Sequence, residues 1–316
     1  MITEPGTIED MVADATGAGF EANVRLIRDW TQQGLLDYPR RRPAGKGHGS
    51  EPALYPASQR ELLLMLLYQR PGKSISSLAR VPVAVWMYWG EEHVPVRQAL
   101  RALRRHLGDP GSRTYARDAT RASKDRARVA AQALLSQLDN PRATPAARRE
   151  LLAVLTDAAW TGKPDFATLE RAVTAVFDAG SARIRRAVGH PAAPVTSDGL
   201  ILSVRARLAA VTAVTAGQVT GELLAQARDT HLFEYAGYMA MRPALATATP
   251  PGVPDLYAPV TMEDTLSNCC AHLLTALGME ILFPQQAEMM RQARATMRRP
   301  TRAELGIVAP GPASTT

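Results

Sequence analysis

Apolar residues recur at intervals of three and four along most of the chain, and the alternating pattern of β-strands is nearly absent. This spacing is typical of helices that bury one face against a core. Hydrophobic residues make up 46% of the sequence but aromatic residues only 5%, so we expect helices packed largely through alanine and other small side chains. The sequence therefore predicts a mainly α-helical protein with a substantial core.

Several helix starts carry capping patterns, in which a hydroxyl residue is followed three positions later by an acidic residue. A threonine followed directly by proline is a second form of helix start, because proline fits the first helical position. The patterns are Thr7 with Asp10, Ser58 with Glu61, Thr261 with Asp264, and Thr144 before Pro145.

A short segment rich in glycine and proline, GDPGS at 108–112, interrupts the helical spacing. We interpret this break as the boundary between two domains. The sequence thus predicts an N-terminal domain over 1–108, an all-α domain for dimerisation or effector binding over 112–304, and a disordered tail over 305–316.

The clearest functional signal lies between residues 7 and 70. We predict a first helix near 8–15, a glycine-containing turn at 17–19, and a second helix near 21–33 that ends at Gly34. Two helices joined by a short turn of this kind form a helix-turn-helix, whose second helix enters the major groove of DNA. The N-terminal segment is therefore a candidate DNA-binding unit.

Polar residues on the second predicted helix are suited to reading DNA. Arginine forms paired hydrogen bonds with guanine and asparagine does so with adenine, while arginine also binds phosphate. We predict that Asn23, Arg25 and Arg28 contact the duplex. Trp30 is a further candidate, although a supporting position in the core is the favoured interpretation for its ring.

Three consecutive arginines follow this helix and precede a glycine-rich loop over 43–52. Cations just beyond a recognition helix are well placed for the phosphate backbone, where they supply affinity and register but do not read sequence. The loop is interpreted as a wing. The predicted contacts in this region are Arg40, Arg41, Arg42, Lys46 and His48.

The string LIRDWTQQGLL at 26–36, followed by LYPAS at 54–58, resembles the N-terminal domain of MerR-type transcription regulators. Arg28 matches the family's arginine, Trp30 its second aromatic residue, and Tyr55 the tyrosine of its wing. The resemblance implies a winged helix-turn-helix with a small β wing, and it adds Tyr55 to the candidate DNA contacts.

The sequence also departs from the family pattern. Asp29 stands where the family has its first aromatic residue, and Ala53 stands where the wing has an arginine. The DNA contact of that arginine is therefore lost, or is made instead by Lys46 or His48.

Cations dominate residues 97–128. A run of this kind is ordinarily a solvated helix face, and a second phosphate-binding surface is the alternative. The residues concerned are Arg97, Arg101, Arg104, Arg105, Arg113, Arg117, Arg121, Lys124, Arg126 and Arg128.

Two other clusters have both a structural and a functional interpretation. The string WMYW at 86–89 is predicted to pack against the N-terminal domain, with a ligand cage as the alternative. Cys269 and Cys270 are neighbours and cannot easily form a disulfide with each other, so we expect buried thiols. A metal site that also uses His272 is the alternative.

No P-loop, Rossmann fingerprint, zinc-binding spacing or nucleophile elbow is found, so we expect a protein that is not an enzyme and uses no cofactor or metal. The formal net charge of +7 suits double-stranded DNA as a partner. The absence of a disulfide framework and of any apolar stretch of membrane length predicts a cytoplasmic, nucleoid-associated bacterial protein with no membrane contact.

The leading interpretation is a sequence-specific transcriptional regulator that binds an inverted-repeat site as a homodimer, since one helix-turn-helix covers only a small footprint. The helix predicted near 115–138 is the expected start of the dimer contact. RNA polymerase or a small-molecule effector is a possible further partner. Two alternatives stay open: an accessory or architectural DNA-binding protein of a phage or plasmid, and a helical partner-binding protein without DNA activity.

Overall fold

The computed structural model describes residues 2–43, 50–108, 143–161, 164–177, 197–248 and 262–307, together with isolated positions between 124 and 135. Over these residues the protein is mainly helical and contains one small antiparallel sheet. The prediction of a mainly α-helical chain with a small amount of β-structure is therefore confirmed.

The N-terminal part combines short helices with a two-stranded sheet in the order α1, α2, β1, β2, α3, α4, α5, α6. The bounds are α1 Ile8–Gly17, α2 Val24–Gln32, β1 Arg40–Pro43, β2 Ser50–Leu54, α3 Ala57–Gln69, α4 Ile75–Leu78, α5 Arg80–Trp89 and α6 Val96–Leu107.

Longer helices form the rest of the described chain. Their bounds are α7 Pro145–Thr161, α8 Phe166–Phe177, α9 Ser197–Thr215, α10 Gly221–Ala248, α11 Met262–Leu282 and α12 Pro284–Arg294. Helix α11 packs against α5, α9 and α10, while α7 packs against α8. No helix among the described residues is both long and apolar enough to cross a membrane.

The predicted capping patterns have different outcomes. Thr7 and Asp10 form a reciprocal capping box at α1, and the hydroxyl of Thr144 accepts from the backbone N–H of Ala147 at 3.1 Å, so both starts are confirmed. The predicted start at Ser58 is wrong. The carbonyl of Pro56 already accepts from the backbone N–H groups of Gln59 and Arg60, so α3 begins at Ala57 and includes Ser58. The pair at 261 and 264 spans the edge of the described residues.

One hydrophobic core runs through the N-terminal elements and continues into α9, α10 and α11. It therefore includes residues on both sides of the predicted boundary at 108. Its members include Trp30, Leu62, Trp86, Leu273 and Leu277, each of which is at most 1% exposed. A second cluster joins α7 and α8 to the start of α9.

Helices α9 and α11 approach each other closely at Gly278. A Cβ atom placed on Gly278 would lie 1.8 Å from the carbonyl oxygen of Ala206. The two helices can approach this closely only because position 278 has no side chain.

The chain ends its described part in a short turn after α12. Leu305 and Ile307 are 2% and 8% exposed and belong to the main core. The predicted tail over 305–316 therefore starts too early, because these two apolar side chains hold the turn against the core. Residues 308–316 lie outside the described residues.

Candidate nucleic-acid interface

Helix α2 presents one polar face and one buried face. At about 100° per residue, Arg25, Arg28 and Gln32 fall on the same side of the helix, and all three are exposed. The opposite side carries Ile27 and Trp30, which are 0% and 1% exposed. The amphipathic pattern thus fixes which residues of α2 are offered to a partner.

Two charged or polar candidates on α2 already have local contacts. The side chain of Asn23 caps the helix, since its Oδ1 accepts from the backbone N–H of Leu26 at 2.8 Å. Its amide NH₂ group remains able to donate. Arg25 lies 4.0 Å from the carboxylate of Asp29, and its side chain is 91% exposed, so this pairing holds it only weakly.

Trp30 and Tyr55, which were candidate DNA contacts, are buried. They are 1% and 3% exposed, and the Tyr55 hydroxyl lies 3.2 Å from Oγ1 of Thr31. Burial raises the pKa of Tyr55, while the Thr31 hydrogen bond and the nearby charge of Arg28 partly offset this. The core encloses both rings, which confirms the favoured core position of Trp30 and corrects direct DNA contact by Trp30 and Tyr55 to support of α2 from behind.

The sheet carries the triple arginine along its first strand. Strands β1 and β2 are antiparallel, with Arg40 opposite Leu54 and Arg42 opposite Glu51. Arg42 forms an ion pair with Glu51. Arg40 and Arg41 are exposed and have no acidic partner among the described residues.

The segment before α1 also joins this sheet. Gly6 forms a bridge with Tyr55 through two backbone hydrogen bonds of 3.0 and 2.8 Å. The start of the chain therefore ties the end of β2 to α1. Lys46 and His48, predicted as contacts from the loop between the strands, lie outside the described residues.

A glycine sets the direction of the chain after α2. Gly34 has φ of +81°, and a Cβ there would lie 2.8 Å from the Cβ of Arg101 on α6. The prediction that Gly34 ends the helix is therefore confirmed. A left-handed backbone and the close approach of α6 both require a residue without a side chain.

A buried carboxylate then anchors the turn between α2 and β1. Asp37 is 4% exposed and accepts hydrogen bonds from Arg97 at 2.6 Å and from Arg101 at 3.2 Å. The guanidinium of Arg101 also donates to the Leu36 carbonyl and lies 4.5 Å from the centre of the Tyr38 ring. These two arginines of the 97–128 segment thus bind Asp37 and hold the turn after α2 on α6, Arg101 from a part-buried position and Arg97 from an exposed one.

Two buried glutamines extend the anchor, and the sequence did not identify them. Gln59 accepts from the backbone N–H of Asp37 at 2.8 Å, and Gln98 donates to the carbonyl of Leu35 at 2.9 Å. The two amides also bond each other at 2.9 Å. Because every member is hydrogen-bonded, this network fixes the turn after α2 on α3 and α6.

We expect Asp37→Ala to lower the free energy of unfolding by about 2 kcal/mol, because it removes a buried acceptor from two charged hydrogen bonds. Chemical denaturation of the full chain measures the change. Asp29→Ala is the matched control: its carboxylate is half exposed, so we expect a change within about 0.5 kcal/mol. Equal effects of the two substitutions would contradict the anchoring role of Asp37.

The other predicted clusters are structural in the described part of the chain. Trp86 and Tyr88 are buried, and α5 packs on α11 as well as on N-terminal helices, which favours packing over a ligand cage. Cys269 and Cys270 are free and buried, as expected. Among the described residues no group of three or more His, Cys, Asp or Glu side chains is arranged to hold a metal.

Comparison of the chain with protein-family models, with curated proteins and with solved structures finds no match. The functional argument therefore depends on the residues of this chain and on their geometry.

Proposed function

We propose that this protein is a sequence-specific regulator that binds double-stranded DNA through a winged helix-turn-helix of the MerR-like type. Helix α2 would be the reader, and the β1–β2 hairpin would be the wing. The helix order, the glycine-ended second helix and the arginine-bearing hairpin support this proposal.

The observation that carries the proposal is that two cationic elements follow each other in one folded unit: α2, which carries Arg25 and Arg28, and the hairpin, which carries Arg40 and Arg41. Tyr55, directly after β2, contacts Thr31 of α2, and the charge of Arg28 acts to lower the pKa of the Tyr55 hydroxyl. The end of β2 therefore supports α2 from behind and lies near Arg28, so the hairpin that carries Arg40 and Arg41 is joined directly to the proposed reader helix. A duplex that accepts α2 in its major groove would bring its backbone towards this hairpin.

The arginines of α2 and those of the hairpin would bind different chemical groups of DNA. Arg25 and Arg28 are exposed on α2 and are suited to base edges, where donor and acceptor patterns differ between base pairs. Arg40 and Arg41 have no acidic partner among the described residues and are suited to phosphates, which are alike along the duplex. Asn23 caps α2 and keeps an NH₂ donor for a base or phosphate.

The wider assignment forms part of the same proposal. The protein would act without catalysis, in the bacterial cytoplasm, and as a homodimer on an inverted repeat. The helices beyond residue 112 would supply dimerisation or effector binding, and the further partner would be RNA polymerase or a small-molecule effector. The helix predicted near 115–138 falls almost entirely outside the described residues.

The experiment uses the full chain, because the core of the N-terminal elements continues into α9–α11. Selection from a randomised duplex pool first gives the preferred site. Titration of that duplex and of a scrambled one then compares wild type with Arg25→Ala, Arg28→Ala and Arg41→Ala. The control is Arg149→Ala, an exposed arginine on α7.

We expect Arg25→Ala to weaken binding to the selected duplex by about 1–3 kcal/mol and to reduce the preference over the scrambled one. Arg28→Ala follows the same course if Arg28 reads a base. Arg41→Ala is expected to weaken both duplexes alike and to lower the salt slope by about 1. If the full chain selects no duplex, or if neither α2 variant changes the preference, the proposed reader is wrong.

A further inference from the structure

A cleft opens where the C-terminal ends of α2, α6 and α9 meet. Its volume is about 400 Å³, within the range of small-ligand sites. Its walls combine amide and guanidinium groups from the N-terminal part with two residues of α9. The lining residues that matter are Gln32, Gln33, Arg104, Arg105, Val214 and Thr215.

The cleft is cationic, and its charge is not fully neutralised. Arg101, which also lines it, is paired with Asp37. Arg104 and Arg105 have no ion-pair partner among the described residues. Their position in the last turn of α6 suits the dipole of that helix, which accounts for cations there but not for their convergence on a cleft.

Two buried polar atoms in this wall lack partners. Nε of Arg105 and Oε1 of Gln33 are both buried and form no hydrogen bond among the described residues. Buried polar groups are ordinarily hydrogen-bonded, so no partner within the described protein holds these two atoms in place, and a turn of either side chain would offer it to a ligand in the cleft. A half-turn of the Gln33 amide would present its NH₂ group, which makes both residues donors.

We propose that this cleft is a binding site for a phosphate-type anion, held by Arg104, Arg105 and the amides of Gln32 and Gln33. Guanidinium groups bind phosphate oxygens through paired, charge-assisted hydrogen bonds, and amide NH₂ groups complete the set of donors. None of the described residues that line the cleft is acidic, so no carboxylate among them repels an anion.

Two sources can supply this chemistry. Gln32 also lies on the exposed face of α2 with Arg25 and Arg28, so a duplex held by that face would bring a backbone phosphate towards the cleft. Val214 and Thr215 belong to α9, so a free phosphorylated molecule would bridge the reader helix to the C-terminal helices. The experiment separates these sources in two arms.

The first arm measures the thermal midpoint of the full chain with inorganic pyrophosphate, against sodium chloride of equal ionic strength. We expect an upward shift of about 2–4 °C in wild type, which Arg104→Gln/Arg105→Gln removes. The control is Arg149→Gln/Arg302→Gln, which deletes the same charge at exposed sites elsewhere. Arg104→Gln alone serves if the double variant does not fold.

The second arm measures binding to the selected duplex over a salt series. If backbone phosphates occupy the cleft, Arg104→Gln/Arg105→Gln lowers the slope of log K against log salt by about 2 more than the control does. Only this arm depends on the proposed DNA binding, so failure of that proposal leaves the pyrophosphate arm intact. A loss specific to the cleft variant in either arm supports the site. If the cleft and control variants behave alike in both arms, the proposed site is wrong. If no duplex binds, equal behaviour in the pyrophosphate arm alone is enough to overturn it.

Discussion

Gly278→Ala is expected to lower the free energy of unfolding by more than about 3 kcal/mol. The added methyl group would lie 1.8 Å from the Ala206 oxygen and 2.2 Å from its carbonyl carbon. Both atoms belong to the backbone of α9, so no side-chain rotation relieves the contact and the helices must move apart. Since α11 also packs against α5 and α10, the displacement disturbs the main core.

Gly237→Ala is the matched control for this prediction. Gly237 lies inside α10, is exposed, and has no atom within 4 Å of a Cβ placed on it. Alanine is the better helix former, so we expect this variant to be more stable by up to about 1 kcal/mol. Urea denaturation of both variants measures the difference. Two small changes of the same sign would show that α9 and α11 are not in backbone contact at Gly278.

We expect the folded protein to lose stability in acid because the imidazole of His231 is buried. Its Nε2 lies 3.2 Å from the hydroxyl of Tyr88, and its ring stacks between Tyr235 at 5.5 Å and His272 at 5.2 Å. Burial lowers the pKa of His231 to about 3, and the neighbouring His272 contributes. Burial and the charge of Arg207 also lower the pKa of His272.

Because the folded pKa lies below the unfolded value of about 6.5, the unfolded chain binds the proton first. The stabilisation is complete above pH 6.5 and is lost as the pH falls towards 3. We expect His231 to account for about 3 kcal/mol of lost stability between pH 7 and pH 4.

Denaturation of wild type and His231→Gln from pH 8 to pH 4 measures this loss. The difference at pH 8 gives the packing cost of the substitution, and carboxylates that titrate in both proteins cancel. We expect the difference to change by about 3 kcal/mol in favour of the variant as the pH falls. A difference that is the same at every pH would mean that the buried imidazole does not titrate in this way.

Local signals in the sequence predicted local features of the fold well. The capping box at Thr7, the N-cap at Thr144 and the stop at Gly34 depend on neighbouring residues alone, and the structure contains all three. The start of α3 was missed because Pro56 uses a backbone carbonyl, whereas the prediction relied on the side chain of Ser58.

The depth of each side chain was harder to predict. Tyr55 carries a hydroxyl group and follows the hairpin with the arginines, but the main core encloses its ring, as it encloses the ring of Trp30 that was expected there. The same reason applies to Asp37, Gln59 and Gln98, whose partners are distant along the chain. A buried polar network has no short sequence signature, so only the folded arrangement identifies the anchor of α2.

The main core contains residues from both sides of the break at residue 108, so the N-terminal segment does not bury its apolar surface alone. Helix α5 is covered by α11, so a chimera that grafts residues 1–108 onto a foreign oligomerisation module would leave an apolar surface of α5 bare. Such surfaces cause association and loss of order. The segment that carries α2 is therefore not an interchangeable cassette, and its evolutionary exchange with other proteins would have to bring α9–α11 along with it.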